Sequence, residues 1–293
     1  MADGISGELH CRRREQENSL MNSREPTDIL VFDSGVGGLT VLEELRAVLG
    51  PLRYTYLADT AGLPYGNKEA SWLQERVVRV FESIVERIQP RLAVIACNTA
   101  STLVLPALRA RFAFPIVGVV PAIKPAAERS RSHVLGLLAT PATITRSYTD
   151  ELIRQFAAHC RVIRVGSSEL VALAERKLRG EALDLDQISK ICQPFQDPEL
   201  DVLVLGCTHF PLLRSELQGV LPKQVSLVDS GYAVAQRARQ LLEKSPVDQS
   251  AAGPSQAFVT ALDLQTTDFS QALRRYHLEG PLLLSLKDPI PPL

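Results

Sequence analysis

The sequence predicts an α/β protein: two similar open, mostly parallel-sheet lobes related by pseudo-symmetry, with an active site in the cleft between them. Three observations predict it. Short β-rich runs alternate with longer stretches of helical period, the pattern of parallel sheets flanked by helices. The runs fall into two sets of four. The third run of each set ends in the same way, with a small residue, one cysteine and then a polar Asn or Thr: AVIACNTAS (Ala93 to Ser101) and VLVLGCTHFP (Val202 to Pro211).

In chain order, the first set is ILVFD (Ile29 to Asp33), YTYLAD (Tyr54 to Asp59), LAVIAC (Leu92 to Cys97) and PIVGVV (Pro115 to Val120). The second is VLGLLAT (Val134 to Thr140), CRVIRV (Cys160 to Val165), DVLVLGC (Asp201 to Cys207) and VSLVDS (Val225 to Ser230). Between the second and third runs, Val77, Val78, Phe81, Ile84, Val85 and Ile88 recur at helical spacing and mark one apolar face packed on a sheet. SPVDQSAAGPSQ (Ser245 to Gln256) reads as a linker. AFVTAL and the helical FSQALRRYHL then return to the first lobe, and the prolines of KDPIPPL forbid regular structure at the end. The expected division is a flexible extension over residues 1–25, a first lobe from 26–121 with 232–280, and a second lobe over 122–231.

Bulk properties narrow the function. The chain has 293 residues, enough for about two domains, and 45% hydrophobic with 22% charged residues is ordinary globular composition. A net charge of −1 gives no sign of a nucleic-acid partner, and no apolar run is long enough to span a membrane. The N-terminus has basic residues but no apolar segment after them, so it does not read as a secretory signal and the expected location is the cytoplasm. Five cysteines with no CxxC pair argue against a disulfide framework. Cys160 and Cys192, away from any polar motif, read as small buried hydrophobes.

The first strand ends in DSGVGG (Asp33 to Gly38) and enters a helix. The turn looks like a dinucleotide fingerprint, but Thr40 stands where the third glycine belongs. Asp33 also puts a negative charge where a pyrophosphate would sit. The same turn suits a ligand with an ammonium group, Asp33 serving as counter-ion and the helix N–H groups meeting its carboxylate. DSG recurs at Asp229 to Gly231 after another apolar strand. In the PYG stretch, Tyr65 is placed to close over a small ligand and Gly66 lets the backbone approach it. Asn98 and Thr99 after Cys97, and Thr208 and His209 after Cys207, add donors and acceptors. A thiol at a helix N-terminus can have a lowered pKa, and an imidazole beside a thiol can hold or relay its proton.

In open α/β sheets the ligand sits beyond the carboxyl ends of the strands. Two such edges facing each other put one thiol on each wall of a cleft. Inverting a carbon centre by moving a proton needs an acid on one face and a base on the other, and two identical groups serve both directions. The repeated cysteine exit therefore reads as a two-base racemase or epimerase site. No pyridoxal phosphate or flavin motif is evident, and Lys68 and Lys124 have no feature marking a Schiff base, so the expected chemistry is cofactor-free. Two cysteines and one histidine make a poor metal set.

Together DSGVGG, PYG, ACNTAS, VGVVPAI (Val117 to Ile123) and GCTHFPLL resemble the glutamate racemase family, in family order over about two-thirds of the chain. The resemblance implies interconversion of L- and D-glutamate without a cofactor, supplying D-glutamate for peptidoglycan. It implies that Cys97 takes the α-proton of D-glutamate with help from Asp33. Cys207 would take that of L-glutamate with help from His209 and from Glu175, in ELVALAE (Glu169 to Glu175). Substrate contacts implied are Asp33, Ser34, Tyr65, Gly66, Asn98, Thr99, Thr208 and His209, with Thr140 at the end of the fifth strand. The N-terminal extension and VVPAIKPAA (Val119 to Ala127) resemble the branch activated by UDP-N-acetylmuramoyl-alanine. An aspartate or hydantoin racemase, a closing amino-acid-binding module and a redox thiol pair are the alternatives. The sequence does not choose between monomer and homodimer.

Overall fold

The computed structural model describes residues 27–244, 254–262 and 264–286. The expected N-terminal extension, the closing KDPIPPL and most of the linker lie outside these residues.

The first sheet uses strands β1 (Ile29–Asp33), β2 (Tyr54–Ala58), β3 (Leu92–Ile95) and β4 (Ile116–Gly118), with helices α1 (Leu39–Leu49), α2 (Ala70–Ile88) and α3 (Asn98–Arg111) between them. The second uses β5 (Val134–Ala139), β6 (Arg161–Gly166), β7 (Val202–Leu205) and β8 (Ser226–Val228). Its helices are α4 (Ile123–Arg129), α5 (Pro141–Ile144), α6 (Ser147–Phe156), α7 (Glu169–Leu178), α8 (Leu185–Cys192) and α9 (Arg214–Val220). Helix α10 (Gly231–Leu242), strand β9 (Gln256–Val259), helix α11 (Leu264–Arg275) and strand β10 (Glu279–Leu283) then complete the chain.

All eight expected strands form, and they pair in parallel. The sheet orders are β10-β9-β2-β1-β3-β4 and β6-β5-β7-β8. Within each set of four the order is second, first, third, fourth, so the two halves share one topology. In both, the sequence direction reverses between the first strand of the set and the third. That reversal leaves a crevice at the carboxyl ends of β1 and β3, and another at those of β5 and β7.

Strand alternation divides each sheet between two cores. Ile29 and Val31 face α1 and α10, where Leu39, Leu42, Val234 and Ala238 are buried. Leu30 and Phe32 face α2 and α3. On α2 the buried stripe is Leu73, Val77, Val80, Phe81, Ile84 and Ile88. Val78 and Val85, expected on that face, sit at its margin and are half-buried. In the second sheet Leu203 and Leu205 pack with Leu170 and Leu173 of α7, and Val202 and Val204 with Ile123 and Ala126 of α4.

The return of the chain brings α10 against α1 and lays β9 beside β2. Strand β10, beyond β9, is not among the strands read from the sequence. Pro281 is tolerated because β10 is an edge strand. Cys192 is buried as expected, but Cys160 is only partly covered, since it sits in the turn that leads into β6. Among the described residues no helix is long and apolar enough to cross a membrane.

Candidate active site

The carboxyl ends of β1, β3, β5 and β7 deliver Asp33, Cys97, Thr140 and Cys207 in turn. Asp33 is fully buried. Its Oδ1 accepts from the Gly35 N–H at 2.9 Å, and its Oδ2 from the Thr208 hydroxyl at 3.0 Å. The Ser34 hydroxyl reaches Oδ1 at 3.5 Å and the Cys97 sulfur at 3.8 Å. Burial raises the Asp33 pKa, against the pull of His209 and these hydrogen bonds. The recurring DSG triplet is the same turn: Asp229 Oδ1 accepts from the Gly231 N–H, also at 2.9 Å. There the other carboxylate oxygen meets Arg214 at 2.5 Å instead.

The glycine-rich loop and the CTH loop touch directly. Thr40 donates to the Thr208 carbonyl at 3.2 Å. A Cβ on Gly37 would lie 2.5 Å from Nδ1 of His209 and 2.6 Å from the Thr208 hydroxyl, so only glycine permits this approach.

Cys97 is the residue from which α3 starts, and it is buried. Its thiol is pushed up to about 12, first by burial and then by the negative charge of Asp33, with the Ala100 N–H and the Ser34 hydroxyl opposing. The lowering that a helix N-terminus can give is outweighed here. One backbone N–H does not compensate a desolvated sulfur beside a carboxylate.

On the other side, Cys207 Sγ lies 3.9 Å from His209 Nδ1, and His209 Nε2 lies 2.7 Å from Glu175 Oε1. Burial disfavours the His209 imidazolium, but the hydrogen bonds and charges of Cys207 and Glu175 outweigh it, and the pKa stands well above the usual value. Glu175 belongs to α7 and also approaches the glycine loop, 3.1 Å from where a Gly35 Cβ would sit. The three form one line of polar contacts, thiol to imidazole to carboxylate.

The remaining expected residues gather around these two thiols with one qualification. The Thr99 and Thr140 hydroxyls meet at 3.2 Å, and Thr140 caps α5 through the Thr143 N–H. Gly66 packs on Thr140 at ordinary contact distance. Asn98 is buried, and its Oδ1 has no hydrogen-bond partner among the described residues, an arrangement that costs about 1–3 kcal/mol unless a ligand supplies the donor. Tyr65 is buried too, but its hydroxyl donates to Asp59 at 2.5 Å. What it offers a ligand is ring and backbone.

Sequence reading missed the group behind Tyr65. Asp59 is bound by Arg76 through two hydrogen bonds of 2.6 Å and by the Thr260 hydroxyl at 2.6 Å. An arginine within the apolar stripe of α2 was the available signal.

The site holds two thiols, a buried carboxylate and an imidazole–carboxylate pair between two sheets of like topology. The profile of the Asp/Glu/hydantoin racemase family matches residues 41–238. The chain belongs to the Asp/Glu/hydantoin racemase family. It is 51% identical to the glutamate racemase of Klebsiella pneumoniae, covering 85% of this chain and 88% of that one. With the glutamate racemase of Salmonella typhimurium the identity is 48%, over 90% and 96% of the two chains. In structure it is similar to Escherichia coli glutamate racemase in complex with L-glutamate and the activator UDP-MurNAc-Ala. The TM-score is 0.85, at 47% identity over 90% of this chain and all of that one. This racemase-family member thus shares nearly its whole described length with enzymes of one named activity.

Proposed function

We propose that the protein is a glutamate racemase that moves the α-proton between two thiols without a cofactor. The observation that carries the reading is the placement of Cys97 and Cys207 after equivalent strands of two like-ordered sheets, each with its own polar support. In one direction the Cys207 sulfur takes the α-proton of L-glutamate, and its own proton passes to His209, held by Glu175. The C–H electron pair moves into the α-carboxylate, and the Cys97 thiol delivers a proton to the opposite face to give D-glutamate. The reverse reaction uses Cys97 as base. The substrate ammonium pairs with Asp33 and cancels the charge that helps hold the Cys97 proton, so binding itself activates that thiol. Asn98, Thr99, Thr140 and Thr208 line the place for the carboxylates, with Ser34, Tyr65 and Gly66 beside them.

In this reading the lobes are residues 26–121 with 232–280 and residues 122–231, closing on the amino acid. The product is D-glutamate for peptidoglycan, made in the cytoplasm. Activation by UDP-N-acetylmuramoyl-alanine belongs to the same proposal. It is supported by the E. coli relative and by a hollow of about 510 Å³ whose lining includes Arg109, Arg237 and the Phe112–Gly118 segment, cationic and aromatic groups suited to a nucleotide.

Proton NMR of the protein with L-glutamate in D₂O tests the proposal, beside Cys97→Ser and Cys207→Ser. Loss of the α-proton signal with appearance of D-glutamate, abolished in both variants, is the expected result. No exchange even with the nucleotide present, or equal exchange with aspartate, overturns it.

A further inference from the structure

A second cluster of ligating side chains lies at the opposite end of the second sheet. The register Val134↔Arg161 sets His133 and Cys160 side by side at the amino ends of β5 and β6, with His159 next to them. The donor atoms of His133, His159 and Cys160 all lie within 4.8 Å of one another. The imidazole rings meet edge to face, centroids 5.1 Å apart at 77°. Both histidines are exposed and Cys160 is partly so, which leaves the cluster open to solvent ions.

The turn carrying His133 is firmly built. Asp201 accepts from the Ser130 hydroxyl at 2.7 Å and from the Arg131 and Ser132 N–H groups at 2.6 and 3.1 Å. The Arg161 N–H donates to the His133 carbonyl at 2.8 Å. His133 itself has a φ of 58°, in the left-handed region that histidine enters more readily than most side chains.

We infer that His133, His159 and Cys160 form a binding site for a borderline divalent transition metal of the zinc class, distinct from the thiols of the racemase site. Two imidazoles, one thiolate and a water complete a tetrahedron. Ligand distances of about 2.0–2.3 Å need donors roughly 3.3–3.6 Å apart, so the exposed rings need to close in by at most about an ångström. The Cys160 S–H bond breaks as the sulfur–metal bond forms, and its proton leaves to solvent. The ion would clip the α4–β5 turn to the α6–β6 turn. This clip lies one strand length, roughly 20 Å, from the carboxyl ends where Thr140 and Cys207 sit.

Cobalt(II) titration of the full-length, chelator-treated protein tests this, read by the sulfur-to-cobalt charge-transfer band. Cys97→Ser/Cys207→Ser protein, which has lost both thiols of the proposed racemase site, should still give the band with one equivalent of metal. Adding Cys160→Ser should abolish it, and His133→Ala/His159→Ala should weaken binding at least ~10-fold. Thermal unfolding without metal checks that each variant is folded, and Zn²⁺ should raise the midpoint only where Cys160 is present. A band that survives Cys160→Ser, or its absence from the Cys97→Ser/Cys207→Ser protein, overturns the inference.

Discussion

The Thr208 hydroxyl donates to the buried carboxylate of Asp33 at 3.0 Å, tying the residue after one thiol to the residue that ends β1. The contact joins the two sheets at the point where the chemistry is proposed. Burial weighs against the Asp33 carboxylate, and the Thr208 hydrogen bond offsets only part of that cost.

That burden has a sign. The folded-state pKa of Asp33 is raised, so the native state holds the proton more tightly than the unfolded chain does. Stability from this group is present below its unfolded pKa of 3.8 and is lost as pH climbs through the folded value. Asp33→Asn keeps the shape and removes the charge. It should raise neutral-pH stability by about 0.5–2 kcal/mol, measured by urea denaturation, while racemisation collapses. A variant that is both active and no more stable would contradict this account of Asp33.

Glu175→Gln removes the carboxylate that supports His209. D- and L-glutamate are mirror images with an equilibrium constant of one, so kcat/KM must fall equally in both directions, here by roughly 10²-fold or more. The asymmetry should surface in primary deuterium isotope effects. The effect should grow for L-glutamate, where Cys207 is the proposed base, and change little for D-glutamate. Equal effects in both directions would mean that Glu175 serves the two thiols alike.

Gly37→Ala tests the close approach of the loops. The added methyl has no room beside His209 Nδ1 and Thr208, and both are held by other hydrogen bonds. Pushing the loops apart by even an ångström should cost about 10²-fold in kcat/KM. The circular dichroism of the folded protein should be unchanged, because the clash lies between loops and not within a core.

Much of this was legible in the chain. Continuous apolar runs such as LAVIAC read as buried parallel strands because both faces of each sheet are covered. The repeated cysteine exit marked equivalent places in two like-ordered sheets, and the DSG triplet proved to be one turn built twice. The cysteine pKa was not legible. A local rule about helix ends was outweighed by burial and by Asp33, which is distant in sequence from Cys97. The hydroxyl of Tyr65 was likewise hidden, because its partner Asp59 lies across a turn that no periodicity describes. Strand β10 escaped because edge position alone makes its proline acceptable.

The Asp59 network offers the last test. Arg76 and Asp59 are nearly or fully buried, and their two hydrogen bonds of 2.6 Å are joined by the hydroxyls of Tyr65 and Thr260. Arg76→Met leaves the carboxylate buried without its cation and should cost about 3–5 kcal/mol in urea denaturation. Asp59→Asn/Arg76→Met removes both charges together and should recover a large part of that loss, since the penalty lies in the stranded charge and not in the missing pair. Tyr65 packs in the same core as Cys97, so the single variant should also raise KM for glutamate. If Arg76→Met and the double variant are equally unstable, the pair is holding the fold by packing of the arginine stem, and Asp59 is not a buried charge that needs a partner.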